Sequence, residues 1–437
     1  MLNRFRPIVG ATMAASILVT AAGCDSYLEV KNPTVIDAST VDPVADAPTF
    51  SLSALNNLFN AFDDFIVYGA WFSGEAWEGD TFPTRTDIAR RTIDFVEGVG
   101  TTNSTVPGDI YNPLARAIST GENVQVLLAD LPDATSNINL VRATYASATG
   151  ILFESELFCQ TVISSSLTNL GVPLTSIEGA AAAEERFKRV ITQGTAVNTP
   201  EALMLANAAR VGLARALLFQ GKNAEAVAAA GEVPASFEFL APKVDDPSNR
   251  GALGNTVYSF TLSRQSLVVP PYYRALNDPR VTSNLTITAS GPAKAQDNFF
   301  DFHRQTKYTG WGDDIRLASG LEARYLAAEA QLNLGNPAPA LALIAERTAV
   351  GGAAASGDDI DFVTTRGTMT DLLDQKARDF FLEGTKMGDW RRNPLAAPYV
   401  PPAGSPYYNT SEGGVFGGQT CMPLPDDEIL NNPNFTR

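Results

Sequence analysis

The amino-acid sequence predicts an all-α fold in which helical hairpins of the tetratricopeptide type form a scaffold under long irregular loops. Apolar residues recur at helical spacings of three and four in several separate stretches. A glycine followed by alanine five residues later and by an aliphatic residue six residues later occurs twice, at 221–227 and 335–341. Segments 232–310 and 393–437 lack this helical pattern and are rich in turn-forming residues.

The predicted helices follow one another from residue 51 onward. The first covers 51–71, and its apolar positions are Leu52, Leu55, Leu58, Phe59, Phe62 and Phe65. Further helical patterns cover about 109–130 and 140–165, and Pro132 marks the stop between them because proline ends a helix. Neighbouring helices joined by such short connections pack antiparallel.

The two glycine-centred repeats predict helical hairpins. Gly221 and Gly335 each end one helix, and the small alanine that follows lets the next helix approach closely. Ser319 with Glu322 predicts a capping box at the start of the second hairpin. A generic helix bundle without a superhelix is the alternative.

The first 23 residues have the pattern of an export signal. Arg4 and Arg6 precede an apolar stretch, Pro7–Val19, that is too short to span a bilayer. Small residues then precede Cys24, as in the lipobox of bacterial lipoproteins, although Ala21 stands where leucine is preferred. We expect a signal peptide over 1–23 and a lipidated, extended lead over 24–50, with this lipid as the only membrane attachment. An ordinary signal peptide that leaves Cys24 free or paired is the alternative.

Composition excludes several classes of function. The chain has 437 residues with 32 Lys and Arg against 48 Asp and Glu, a net charge of −16, so it has no basic surplus for a nucleic-acid partner. One histidine, His303, and three cysteines leave no zinc motif, and the aspartates lack the spacing of an EF-hand calcium loop. We expect no metal, no cofactor and no catalytic residue.

Paired acids are the one hint of hydrolysis. Glu75 with Glu78, and Glu154 with Glu156, are near each other in sequence, and glycosidases use two carboxyl groups. Nearness in sequence does not place two carboxyl groups across a cleft, however, and acids in a chain of net charge −16 are expected at the surface. The sequence therefore predicts a protein that is not an enzyme.

Three motifs resemble one family, the SusD/RagB-like outer-membrane nutrient-uptake lipoproteins. The segment 24–33, CDSYLEVKNP, is similar to the family's mature N-terminus. The segment 374–391 resembles its late helix and Glu-Gly turn, with Lys376-Ala377 in place of the usual Glu-Arg pair and Lys386 in place of a frequent arginine. The segment 422–434 is similar to its C-terminal Pro-x-Pro, Glu-Ile and Asn-Pro signature.

The resemblance implies a single helical domain over 51–437 whose irregular insertions, about 232–310 and 393–437, carry the ligand-facing region. It also implies an outer-membrane lipoprotein at the cell surface that binds an oligosaccharide or peptide and delivers it to a SusC-like TonB-dependent channel. A tetratricopeptide-like scaffold lipoprotein that serves envelope assembly without a small-molecule ligand is the alternative function.

Sugar binding requires flat aromatic faces beside amides and carboxylates. The sequence offers five candidate ligand-binding residues, and each could instead be a core anchor: Trp71, Trp77, Tyr272, Tyr308 and Trp311. The glycines around Trp311 favour exposure of its ring, whereas the apolar neighbours of Trp71 favour burial.

Two cysteines remain if Cys24 carries lipid. An exported chain permits a disulfide between Cys159 and Cys421, which would hold the C-terminal loop against a helix. A free Cys159 buried in an apolar helix is the alternative.

Overall fold

The computed structural model describes residues 42, 44–129, 137–166, 168–351, 362 and 366–436. The predicted signal peptide, Cys24, most of the 24–50 lead and the stop at Pro132 lie outside the described residues. The chain divides into two compact units, Met1–Asp46 and Ala47–Arg437. In the first unit, the Asp42 carboxylate accepts hydrogen bonds from the backbone N–H groups of Val44 and Ala45.

Helices form most of the second unit. In chain order they are α1 Ala47–Ser73, α2 Pro83–Arg90, α3 Asn112–Leu128, α4 Ile138–Leu157, α5 Ser176–Val197, α6 Pro200–Phe219, α7 Asn223–Gly231, α8 Arg250–Leu253, α9 Thr256–Tyr258, α10 Pro271–Ala275, α11 Gly320–Asn333, α12 Ala338–Gly351, α13 Thr368–Asp379, α14 Lys386–Arg392 and α15 Asp426–Asn431. Two π-helical turns, Val106–Tyr111 and Ser259–Ser263, lead into α3 and follow α9.

In the part of the chain that the structure describes, the strands are short and form five two-stranded antiparallel sheets. They are β1 Trp77–Glu78 with β5 Leu267–Val268, β2 Gln160–Val162 with β3 Pro173–Thr175, β4 Glu238–Ala241 with β10 Ile315–Ser319, β6 Ser283–Leu285 with β9 His303–Gln305, and β7 Ile287–Thr288 with β8 Gly291–Pro292. Most of them lie between residues 232 and 319, and three of the five pairs join segments within that range. The prediction of an all-α fold with long loops is confirmed.

The core forms around α1, whose apolar residues surround most of the helix rather than one stripe. Phe62 and Phe65 stack on Phe153 of α4, with ring centroids 5.4 and 4.3 Å apart. Helices α3 to α7 then pack in chain order, and α11 packs against α7. Helix α6 is long and apolar enough to cross a membrane, but most of it is buried among these neighbours. A Cβ on Gly212 of α6 would lie 2.4 Å from the Phe187 ring, so glycine permits this close approach.

Both predicted hairpins are present, as α6 with α7 and α11 with α12. Gly221 and Gly335 have φ of 75° and 82°, the left-handed conformation that favours glycine after a helix. The capping box forms only in part. The Ser319 side chain accepts from the Glu322 N–H, but the Glu322 carboxylate lies 3.4 Å from Arg215.

One predicted helix is too long. The pattern at 140–165 predicts continuous helix, but α4 ends at Leu157 because Phe158 is extended and Gln160–Val162 pairs as β2. The N–H of Cys159 donates to the Met422 carbonyl, and the N–H of Met422 donates to the Leu157 carbonyl. Met422, from the far end of the sequence, therefore supplies the backbone hydrogen bonds that a continued α4 helix would have formed at Leu157 and Cys159.

Candidate functional site

The structure contains a cleft of about 520 Å³ between the irregular insertion and the helical scaffold. Clefts of about 300–1,000 Å³ are typical of small-molecule sites. The polar lining residues are Glu238, Arg280, Thr282, Lys307, Tyr308, Asp313, Asp314, Arg316, Arg347, Asp379 and Glu383. Tyr308, which the sequence analysis predicted as a ligand-binding residue, is therefore among the residues that line the cleft.

Two buried carboxylates organise the cations of the cleft. Glu383 accepts hydrogen bonds from the Lys307 ammonium and from Nε of Arg316, the latter at 2.7 Å. The two carboxylate oxygens of Asp379 accept hydrogen bonds from Nη2 and Nε of Arg347, at 2.6 and 2.8 Å respectively. Such two-point pairing fixes each guanidinium in one orientation. The cleft therefore offers many fixed donors and acceptors, which suits a ligand rich in hydroxyl groups.

A tight loop carries Trp311 two residues before Asp313, which lines the cleft. Oδ2 of Asp313 accepts from the N–H groups of Thr309 and Gly310, and the Asn255 amide donates to the Asp313 carbonyl at 2.8 Å. These bonds close the loop on itself. Asp313 and Asp314 line the cleft, and Trp311 is half-buried beside them.

The Trp311 ring is held from two sides. The Tyr258 ring contacts it in a T-shaped arrangement, with the ring planes 83° apart and the centroids 5.6 Å apart. The Arg250 guanidinium carbon lies 5.3 Å from the centroid of the Trp311 ring. A Cβ at Gly254 would lie 2.8 Å from the indole carbon Cε3. These contacts hold the indole in place, and the residue is half-buried.

Trp77 and Tyr272 belong to a different aromatic cluster. Trp77 stacks on Tyr408 with centroids 4.7 Å apart and planes 15° apart, and it also contacts Phe300. Tyr272 meets Trp77 at 6.3 Å, and its hydroxyl donates to the Gly74 carbonyl. The C-terminal loop thus covers part of Trp77, which is half-buried.

The five aromatic candidates differ in exposure. Trp71 is 0% exposed and contacts Tyr68 and Phe260 edge-on, so its assignment as a ligand-binding residue was wrong and it is a core anchor. Tyr272 and Tyr308 are 8% and 5% exposed, which leaves little ring surface for stacking. Trp311 and Trp77 retain accessible surface, and their role in binding stays a prediction.

The paired acids are buried, which corrects the expectation that they are surface groups. Glu75, Glu78, Glu154 and Glu156 are all almost fully inaccessible. The charge of the buried Glu156 is compensated by Arg215, whose Nη2 lies 2.5 Å from a Glu156 carboxylate oxygen. Among the described residues, no group of three or more His, Cys, Asp or Glu side chains could hold a metal ion.

Glu78 lies under the C-terminal loop without a cationic partner in the described chain. Its carboxylate accepts from the Asp80 N–H at 2.5 Å, and the Tyr407 hydroxyl donates to it at 3.4 Å. Burial raises the pKa of Glu78 well above its ordinary value of 4.5, and the nearby charges of Glu412 and Asp80 raise it further. Between pH 4.5 and this raised pKa, the Glu78 side chain is therefore a neutral acid in the folded protein, whereas it is ionised in the unfolded chain.

This burial predicts a pH-dependent stability. The folded state keeps a proton that the unfolded chain releases above about pH 4.5, so the free energy of unfolding falls as the pH rises from there toward the raised pKa. Glu78→Gln keeps this side chain neutral at every pH. We expect the variant to raise Tm by a few degrees at about pH 8 and to leave Tm unchanged near pH 4. Thermal melts across this range measure the difference. Glu97→Gln, an exposed acid, is the matched control, and an equal loss of Tm for Glu78→Gln at every pH would contradict the prediction.

The structure joins Cys159 to Cys421 in a disulfide and thereby excludes a free buried Cys159. The backbone bonds between Leu157, Cys159 and Met422 flank it. The bridge therefore fixes the C-terminal segment to the end of α4.

The architecture matches solved structures over nearly their whole length. One is a SusD superfamily protein from Bacteroides fragilis, with 13% identity, a TM-score of 0.60, and coverage of 89% of this chain and 99% of that one. The chain has the SusD fold. A SusD-like carbohydrate-binding protein from Bacteroides vulgatus shares 15% identity with a TM-score of 0.57, covering 90% of this chain and 97% of that one.

A third structure with the SusD fold is surface glycan-binding protein A from Bacteroides uniformis. It shares 12% identity with a TM-score of 0.61, covering 89% of this chain and 99% of that one. No protein-family model and no curated protein sequence matches the chain. At these identities the SusD fold is what the likeness establishes.

Sequence reasoning missed the charged floor of the cleft. Arg280, Arg316, Arg347 and Glu383 are dispersed over about a hundred residues, so no local spacing joins them. Glu383 alone carried a signal, because it belongs to the Glu-Gly turn of the segment that resembles the SusD/RagB-like family.

Proposed function

We propose that the chain is a SusD-like lipoprotein of the cell surface that binds glycans and delivers them to a TonB-dependent outer-membrane channel. The observation that carries the proposal is the SusD fold, shared with a carbohydrate-binding protein and a surface glycan-binding protein over almost their full lengths. The N-terminal export and lipobox pattern supports placement at the outer membrane. The function is binding and delivery, without catalysis.

The cleft supports an oligosaccharide more than an apolar ligand. Its floor presents charged donors and acceptors that are already oriented by Asp379 and Glu383. Trp311, two residues before the cleft residue Asp313, offers an aromatic surface of the kind that sugar rings require. A peptide is the second ligand class, since paired charges also suit a polar backbone.

Trp311→Ala tests the site. We expect this variant to bind its glycan about fivefold more weakly, because loss of an aromatic contact removes on the order of 1 kcal/mol. A glycan array identifies the ligand, and titration calorimetry measures Kd. Phe95→Ala removes an aromatic ring that is 54% exposed and does not line the cleft, so it should bind as the parent does. Equal binding by both variants would remove Trp311 from the site.

The delivery step is tested on the full-length protein purified from native membranes in mild detergent. A stoichiometric co-purifying channel with a TonB-dependent plug would support the proposal. Recovery with envelope-assembly proteins, together with no binding to any glycan or peptide, would favour the scaffold function.

A further inference from the structure

A second, smaller pocket adjoins the cleft on the far side of Tyr308. Its volume is about 110 Å³, and Tyr308 and Thr309 form part of its wall. Tyr258 and Leu262, from α9 and the π-helical turn after it, form another part. Because typical small-molecule sites are about 300–1,000 Å³, this pocket has room for a substituent and not for a whole oligosaccharide.

Arg304 is the one charged residue that lines this pocket. No described carboxylate forms an ion pair with it, and its Nε is buried without an acceptor in the described part of the chain. The cleft differs, because Lys307 and Arg316 share Glu383 there and Arg347 pairs with Asp379. An anionic ligand in the pocket would supply the carboxylate partner that Arg304 lacks in the described part of the chain.

The threonine hydroxyl groups of the pocket already have protein partners. Thr261 donates to the Val257 carbonyl at 2.8 Å, Thr306 bonds Thr282 at 2.5 Å, and Thr309 bonds Asp313 at 3.1 Å. Among the residues that line the pocket, Arg304 is therefore the group whose charge can select an anionic ligand.

We propose that this pocket receives the carboxylate of an acidic sugar residue, so that the protein selects uronic-acid-type glycans over neutral ones. The proposal rests on the glycan-binding function proposed above. Tyr258 lines the pocket and also contacts Trp311, so a sugar ring at Trp311 lies next to the pocket. The planar guanidinium of arginine matches a carboxylate with two parallel hydrogen bonds.

The test compares matched acidic and neutral glycans on the full chain. The probes are trigalacturonic acid and its methyl ester, together with an array of uronic-acid oligosaccharides and their neutral counterparts. We expect the acids to bind at least tenfold more tightly than their neutral partners, and the difference to shrink as salt rises. Arg304→Gln should reduce binding of the acids to the level of the neutral partners, and Arg304→Lys should restore part of the loss.

Arg264→Gln is the matched control, because it removes the same charge from an exposed arginine just beyond the π-helical turn that does not line the pocket. It should keep the preference for acids. Binding of neutral glycans with no preference for acids, or a preference that survives Arg304→Gln, would overturn the inference and leave the glycan-binding function standing. Failure of every glycan to bind would instead overturn the function and the inference together.

Discussion

Arg392→Met should lower the free energy of unfolding by about 3–5 kcal/mol, because it leaves the buried Glu329 carboxylate without its cation. Nε and Nη2 of Arg392 bind the two oxygens of Glu329 at 2.8 and 3.0 Å, and Nη2 also binds Asp389 at 2.6 Å. All three side chains are almost fully buried. Methionine preserves most of the packing volume, so the loss reports the missing charge. Chemical denaturation followed by circular dichroism measures it.

A surface pair provides the comparison for this prediction. Arg324 binds Glu346 with both arms, but each side chain is about half exposed. Exposed pairs contribute about 0–1 kcal/mol, so Arg324→Met should change stability by less than 1 kcal/mol. Equal effects of the two variants would show that burial does not decide the contribution of these pairs.

Removal of the disulfide by Cys159→Ala together with Cys421→Ala should lower the free energy of unfolding by about 5 kcal/mol. The two residues are 262 positions apart. In the chain-entropy model, a link over so long a loop removes much of the freedom of the unfolded chain. Denaturation curves of the oxidised parent and the double variant measure the difference.

Reduction of the parent protein is the control for this second prediction. The reduced parent should unfold at the denaturant concentration of the double variant, since both lack only the link. An oxidised parent that is no more stable than its reduced form would contradict the entropic argument. It would mean that the backbone bonds of Met422 to Leu157 and Cys159 suffice to hold the segment.

The helical scaffold was predictable because its signals are local. Gly221 and Gly335 end helices through their own backbone conformation, and the alanines after them act on the adjacent turn. The end of α4 was not predictable in this way. Its apolar pattern continues beyond Leu157, and the strand that replaces it depends on Met422, more than 260 residues away in sequence.

The candidate site was predictable only in part for the same reason. Trp311 and Tyr308 were identified because one short segment contains both. The neighbours of Trp71 and Trp311 in sequence already favoured burial of the first ring and exposure of the second, but the extent of exposure depends on what packs over each ring. The burial of Glu78 depends on Tyr407 and Tyr408, which no spacing connects to it.

The contacts of the last forty residues set the order in which the protein can complete its fold during synthesis. Thr101 bonds the Leu424 carbonyl, and Asn432 bonds the Gly171 carbonyl at 2.9 Å. A chain that is synthesised from its N-terminus presents residues 101 and 171 long before their partners emerge. These early segments therefore stay without their C-terminal partners until synthesis of the whole chain is complete.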